Sequence, residues 1–172
     1  MYQALSRISK TYFPKQQHRL FKLFFNLSPM YRRTTGRVVK VERDFSSVEV
    51  KIPLSYKNKN YVGTIFGGSL FAATDPIYMV QLIQILGKDY VVWDKSSMVK
   101  FKRPANSDAF AAFAFTEDEI SKLKADISEK KEVDLIKPVL LKSKDGKLFC
   151  EIEKVIYVAD KQFYKEKKAR KQ

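Results

Sequence analysis

Residues 16–28 set Leu20, Phe21, Leu23, Phe24, Phe25 and Leu27 on one wide face, with Arg19, Lys22 and Asn26 turned away. That spacing predicts an amphipathic helix ending near Ser28-Pro29. Two strands follow, over 37–43 and 47–54. In the second, Val48, Val50, Ile52 and Leu54 alternate with Glu49, Lys51 and Pro53, the period of a half-buried strand. Asp44 begins the turn between them, and 55–59 is a polar loop. After Gly68 the pattern becomes helical and apolar almost all round (Leu70, Phe71, Tyr78, Leu82, Ile85, Leu86), which predicts burial on most sides. Pro76 should kink or break this helix, because its ring collides with the preceding turn and frees a carbonyl. Gly87 is its stop.

Residues 90–103 read as a long strand ended by Pro104, with Trp93, Lys95, Ser97, Val99 and Phe101 on one parity. Residues 109–115 are apolar on both faces, the mark of a central strand. Thr116 and Glu119 form a capping-box pattern before a helix carrying Ile120, Leu123 and Ile127 on one face. Strands over 132–142 and 148–159 flank the tight turn Lys144-Asp145-Gly146-Lys147. In the last strand Leu148, Cys150, Ile152, Ile156 and Val158 alternate, so Cys150 reads as packing. The tail from Lys161 is helical or frayed. This order predicts an α+β fold, an antiparallel sheet wrapped around one long central helix.

With 172 residues, 45% hydrophobic and 30% charged, the chain suits one folded domain. One cysteine, Cys150, excludes a disulfide framework or a cysteine-rich zinc site, and no metal site is expected. One histidine, His18, excludes chemistry needing two imidazoles. The net charge of +14 sits on the ends. Residues 1–43 carry ten basic and one acidic side chain, and residues 161–172 carry six and one, leaving 44–160 with 17 of each. A nucleic-acid binder would carry that excess on its domain surface, so no nucleic-acid partner is expected. The ends suit solvated tails, or contact with an anionic membrane or acidic partner. The first helix likewise suits docking on the domain or lying in a membrane interface. Arg7, Lys10 and Lys15 interrupt any export signal in the first 20 residues. Residues 60–87 hold one charge, Asp75, yet Asn60, Gln81, Gln84, Pro76 and the glycines at 63, 67 and 68 fit a buried helix better than a membrane span. The default location is cytoplasmic, with peripheral membrane contact through the basic ends as a further expectation.

A lone carboxylate on a buried helix is costly unless it is used or satisfied. Asp75 reads as a helix-ending Asp-Pro bonded to nearby backbone, or as a nucleophile or general base. Gly67 and Gly68 stand at the helix N-terminus, about two turns before it. Free N–H groups there, with the helix dipole behind them, suit a developing oxyanion.

The segment NYVGTIFGGSLFAATD resembles the core motif of hot-dog-fold thioesterases of the phenylacetate-pathway type. Their pattern is an Asn, a Gly three residues on, His-Gly-Gly, and an Asp eight after the first of those two glycines. Here these are Asn60, Gly63, Phe66-Gly67-Gly68 and Asp75. FKRPA, residues 101–105, resembles the end of the family's third strand. The resemblance covers about 36–159, giving a hot-dog domain over 36–160, an N-terminal helical extension over 1–35 and a basic tail over 161–172.

It implies hydrolysis of an acyl-CoA thioester, with Asp75 as nucleophile or base, the Gly67 N–H on the thioester oxygen, and Asn60 orienting water or Asp75. Gly63, Phe66 and Gly68 would line the substrate. Phe66 departs from the family's His and removes a polar group near the thioester, so a non-catalytic acyl-CoA or acyl-lipid binding protein is the alternative. The want of an internal His disfavours the hot-dog dehydratases. Asp94 and Lys95 fall where an uncharacterised branch has Trp-Asp-Lys. Lys95 reaches inward to a carboxylate or forms a surface ion pair. Lys100, Lys102 and Arg103 hold CoA phosphates or are solvated edge charges. No cofactor is implied beyond coenzyme A as part of the substrate. A homodimer or dimer of dimers is implied, with the site across the interface.

Overall fold

The computed structural model describes residues 16–170. Its elements are α1 (Gln17–Leu27), α2 (Pro29–Arg33), β1 (Arg37–Val41), β2 (Ser47–Ile52), α3 (Gly67–Thr74), α4 (Ile77–Leu86), β3 (Tyr90–Phe101), β4 (Ala109–Ala114), α5 (Glu117–Lys130), β5 (Glu132–Lys142), β6 (Leu148–Asp160) and α6 (Lys161–Ala169). The six strands form one antiparallel sheet in the order β1-β2-β4-β5-β6-β3. It curves around α3 and α4, as the alternating pattern predicts.

Pro76 breaks the central helix rather than kinking it. Asp75 closes α3, its N–H still bonded to Phe71 O at 2.9 Å, and α4 restarts with Val80 N–H on Pro76 O. Leu70, Ala73, Ile77, Tyr78 and Leu82 are buried against the sheet. Burial on most sides is not observed. Phe71, Val80 and Ile85 are half-buried and Ile83 is 38% exposed, because one curved sheet covers only one side of the pair. Among the described residues, Gly67–Leu86 alone has the length and apolarity of a membrane span, and here it is the core pair.

The polar side of α1 is also used differently. Lys22 and Asn26, expected to face away, turn onto β1. Asn26 accepts from Val38 N–H (2.8 Å) and donates to Val38 O (2.9 Å), and Lys22 donates to Val39 O. β1 is a sheet edge with unpaired backbone groups, and these side chains satisfy them. Phe21 and Phe25 dock on Phe45 and Tyr31, while Leu23 and Leu27 are left exposed. Buried Tyr31 then joins α2 to α3 by donating its hydroxyl to Ala73 O at 3.0 Å. Gly36 permits this approach, since a Cβ there would lie 2.7 Å from Ala73 Cβ.

β4 is interior in the sheet order, but its outer face is open. Ala112 and Ala114 are exposed, and β4 meets β5 in register only at Phe110 and Lys142. The capping box, the hairpin turn with Gly146 at φ +85°, and the Gly87 stop at φ +83° form as the sequence predicts. α6 is helical, with Asp160 accepting from Phe163 N–H.

Candidate functional site

Asp75 sits in the break between α3 and α4, so its side chain leaves the apolar surface of the helix pair. It is part-exposed, and its Oδ1 accepts from Lys154 Nζ at 2.6 Å. Lys154 is fully buried on β6. The same ammonium lies 3.0 Å from Asp94 Oδ1, a second ion pair. Burial pushes the Asp94 carboxyl above the usual carboxylate range, and the Asp75 charge adds to this while the Lys154 ammonium opposes it. Phe71 flanks the ammonium, its ring centroid 5.7 Å away. Asp75 is therefore not bonded through its side chain to nearby backbone.

A β-bulge makes the cluster. β3 pairs Ser97 with Lys154 and Val99 with Ile152 on the inner face, but the register shifts between Asp94 and Ser96. One extra residue reverses side-chain parity. Asp94, not Lys95, therefore points inward. Lys95 turns out and pairs with Asp134, both exposed, which corrects the inward reading drawn from its parity with Val99. Trp93 is likewise on the outer face, stacked on Tyr157 and edge-on to Tyr164 of α6.

Phe66 caps α3 and takes no part in side-chain capping. Its carbonyl accepts from Ser69 and Leu70, and the N–H groups of Gly67 and Gly68 have no acceptor among the described residues. Both glycines lie under aromatic rings. A Cβ on Gly67 would be 2.7 Å from the Phe101 ring, and one on Gly68 would collide with the Phe66 ring. Phe66 and Phe101 are each more than half exposed, so these rings can swing aside.

The remaining expected residues are placed differently. Asn60 Oδ1 accepts from Val62 and Thr64 N–H, and its amide donates to Thr64 Oγ1 at 3.0 Å. Those bonds shape the loop that holds Gly63 at φ +82°, and Asp75 is not among its partners. Lys102 pairs with Glu151 at 3.1 Å and Arg103 donates to Leu148 O, while Lys100 is exposed. Cys150 is packed in the core, and burial pushes its thiol up to about 11. Among the described residues no cluster of three metal-ligating His, Cys, Asp or Glu side chains forms.

Residues 17–158 match the family described as Domain of unknown function (DUF4442). The chain belongs to that family. Similar solved structures share the fold of this DUF4442 chain at low identity. One is a Pseudomonas aeruginosa protein of unknown function called a probable thioesterase (17% identity, TM-score 0.70, covering 87% of this chain and 95% of that one). A Haemophilus influenzae thioesterase matches at 12% identity and TM-score 0.61, covering 83% and 90%. A mutant of a Staphylococcus aureus thioesterase matches at 10% and 0.56, covering 77% and 99%. No curated protein matches the chain in sequence. The DUF4442 chain thus has the hot-dog fold of these thioesterases.

Lys154 is the member of this charge cluster that the sequence reading missed. Its signal was present, since it occupies an inward position in the alternation of Cys150, Ile152, Ile156 and Val158.

Proposed function

We propose that this protein hydrolyses an acyl thioester, with Asp75 as the base or nucleophile and the Gly67 N–H as the oxyanion donor. The observation that carries this reading is the Asp75 carboxylate clamped by a buried ammonium, two turns after a helix start whose Gly67 and Gly68 N–H groups have no acceptor among the described residues. Lys154 holds Oδ1, and Oδ2 accepts no hydrogen bond from the described residues. Oδ2 can therefore take a proton from water as the water oxygen attacks the thioester carbon. The C–S bond breaks, and the leaving thiolate takes the proton back from Asp75, giving the carboxylic acid and the free thiol and restoring the carboxylate. The Gly67 N–H, backed by the helix dipole, stabilises the oxygen that becomes negative on attack.

The motif resemblance supports the phenylacetate-pathway type and an acyl-CoA substrate, with coenzyme A in the substrate and no separate cofactor. We assign a homodimer or dimer of dimers through β3, an edge strand with Trp93, Met98 and Phe101 exposed. A cytoplasmic site of action, with peripheral membrane contact through the basic ends, completes the reading.

Phe66 favours a second reading, an acyl-CoA or acyl-lipid binding protein without turnover, because its ring lies over Gly68 where the resemblance has a polar His. A panel of acyl-CoA esters assayed for free thiol separates the two. Turnover that Asp75→Asn abolishes supports the hydrolase. Binding without any thiol release supports the second reading.

A further inference from the structure

A cleft of about 520 Å³ runs between α2 and the loop at 53–57. Arg32, Arg33, Arg37 and Lys57 line it, together with the hydroxyl-bearing Thr35 and Tyr56. No acidic residue lines it, and none of the four cations has a carboxylate partner within salt-bridge distance among the described residues. Residues 1–15 and 171–172 contain no Asp or Glu that could supply one. Outside the cleft Lys40, Lys51, Lys102 and Lys137 each sit beside a carboxylate, while single cations such as Lys100 and Lys122 stand unpaired among the described residues; the cleft differs in lining one concavity with four unpaired cations. Four like charges converging on one cleft repel one another unless an anion occupies it.

Two hydrogen bonds link the wall of the cleft to the start of α3. Thr35 Oγ1 accepts from Asn58 Nδ2 at 2.8 Å, and Asn58 O accepts from Phe66 N–H at 2.8 Å. Phe66 is the residue that opens α3 and precedes Gly67. Tyr56, which lines the cleft, is 87% exposed, with the Lys57 ammonium 5.6 Å from its ring centroid on one face, so the opposite face is open to a stacked base.

We propose that this cleft binds the phosphorylated nucleotide end of a coenzyme A ester, with the arginines on its phosphates and Tyr56 against its base. The inference rests on the thioesterase reading and deepens it by assigning the place where the phosphate end of the coenzyme A carrier is held. Guanidinium groups suit phosphate because they donate in a planar fork. The assignment moves phosphate binding away from Lys102, which pairs with Glu151, and Arg103, which donates to Leu148 O.

The test is calorimetric binding of coenzyme A, 3′-dephospho-coenzyme A and pantetheine to the wild type and to Arg32→Gln/Arg33→Gln. The wild type should bind coenzyme A more tightly than the dephospho form, and that form more tightly than pantetheine. The double variant should lose at least about tenfold in coenzyme A affinity and flatten the series. Arg19→Gln/Arg43→Gln, two exposed arginines outside the cleft, should leave the series intact. Equal coenzyme A affinity for wild type and Arg32→Gln/Arg33→Gln overturns the proposal. So does loss of binding to phosphatidylserine vesicles in that variant with coenzyme A binding unchanged, which assigns the cleft to a lipid headgroup. Graded binding with no hydrolysis of any acyl-CoA supports the cleft and overturns the thioesterase reading. Hydrolysis with an ungraded series overturns the cleft alone.

Discussion

Replacing Lys154 with Met removes the one cation between Asp75 and Asp94 and keeps a side chain of similar length. Removing one partner of a buried pair costs about 3–5 kcal/mol, chiefly because the other charge is stranded. Here the stranded charges differ. The Asp94 side chain is 18% exposed, whereas that of Asp75 is 42% exposed and can be hydrated. Discounting the Asp75 share leaves about 2–3 kcal/mol. For a chain of this size that corresponds to a melting-point drop of roughly 5–10 °C. The Asp94 carboxyl is already raised in the folded state, and losing Lys154 raises it further by removing an opposing charge. A raised carboxyl favours the fold when protonated, and that contribution is lost as pH rises through its folded value. The gap between wild type and variant should therefore be widest near neutral pH and narrow as pH falls into the carboxylate range. Lys154→Met/Asp94→Asn should recover at least half of the loss at pH 7. Circular-dichroism melts at pH 7 and pH 5 measure all of this. Melting points within about 2 °C of wild type at both pH values would refute the buried-charge argument.

Three further outcomes follow from the packing. Gly67→Ala should change stability by less than about 1 kcal/mol, because the exposed Phe101 ring that its Cβ meets can swing aside; a loss well above that, relieved in a Phe101→Ala background, would show the ring to be fixed. Asn26→Ala should cost about 1–3 kcal/mol in urea unfolding by leaving both Val38 backbone groups without their partner, and a cost below about 0.5 kcal/mol would show that water replaces Asn26 freely. Deleting residues 161–172 should leave a cooperative fold about 1–2 kcal/mol less stable, since α6 buries no residue and contributes mainly the Trp93–Tyr164 contact and the Lys167–Glu132 pair; a non-cooperative melt would show the helix to be integral.

The fold was legible in the sequence because its signals are local and periodic. The alternation in β2 and β6, the capping box at Thr116 and Glu119, and the breaks at Pro76 and Gly87 each act within a few residues. Asp75 stood out for the same reason, a single charge in a long apolar stretch. What escaped depends on pairing between distant segments. The bulge between Asp94 and Ser96 reverses parity and swaps Lys95 for Asp94 at the site, and it is visible only against β6. The inward turn of Asn26 and Lys22 depends on β1 being an edge. The cleft at Arg32, Arg33, Arg37 and Lys57 gathers charges from two segments that the sequence presents only as part of a basic N-terminal region and a polar loop. Lys154 was readable from β6 parity alone, but its meaning required knowing that Asp75 and Asp94 converge on it.

The central claim is that Asp75 performs the chemistry. Thiol release from saturating acyl-CoA by wild type and Asp75→Asn, with melting points and KM recorded alongside, tests it most directly. General-base catalysis is worth about 10²–10⁴-fold. The account predicts a fall in kcat of that size with KM and melting point little changed, because Asn keeps the shape of the side chain and can neither take up the proton nor attack. An Asp75→Asn protein that turns over acyl-CoA at the wild-type kcat would contradict the account.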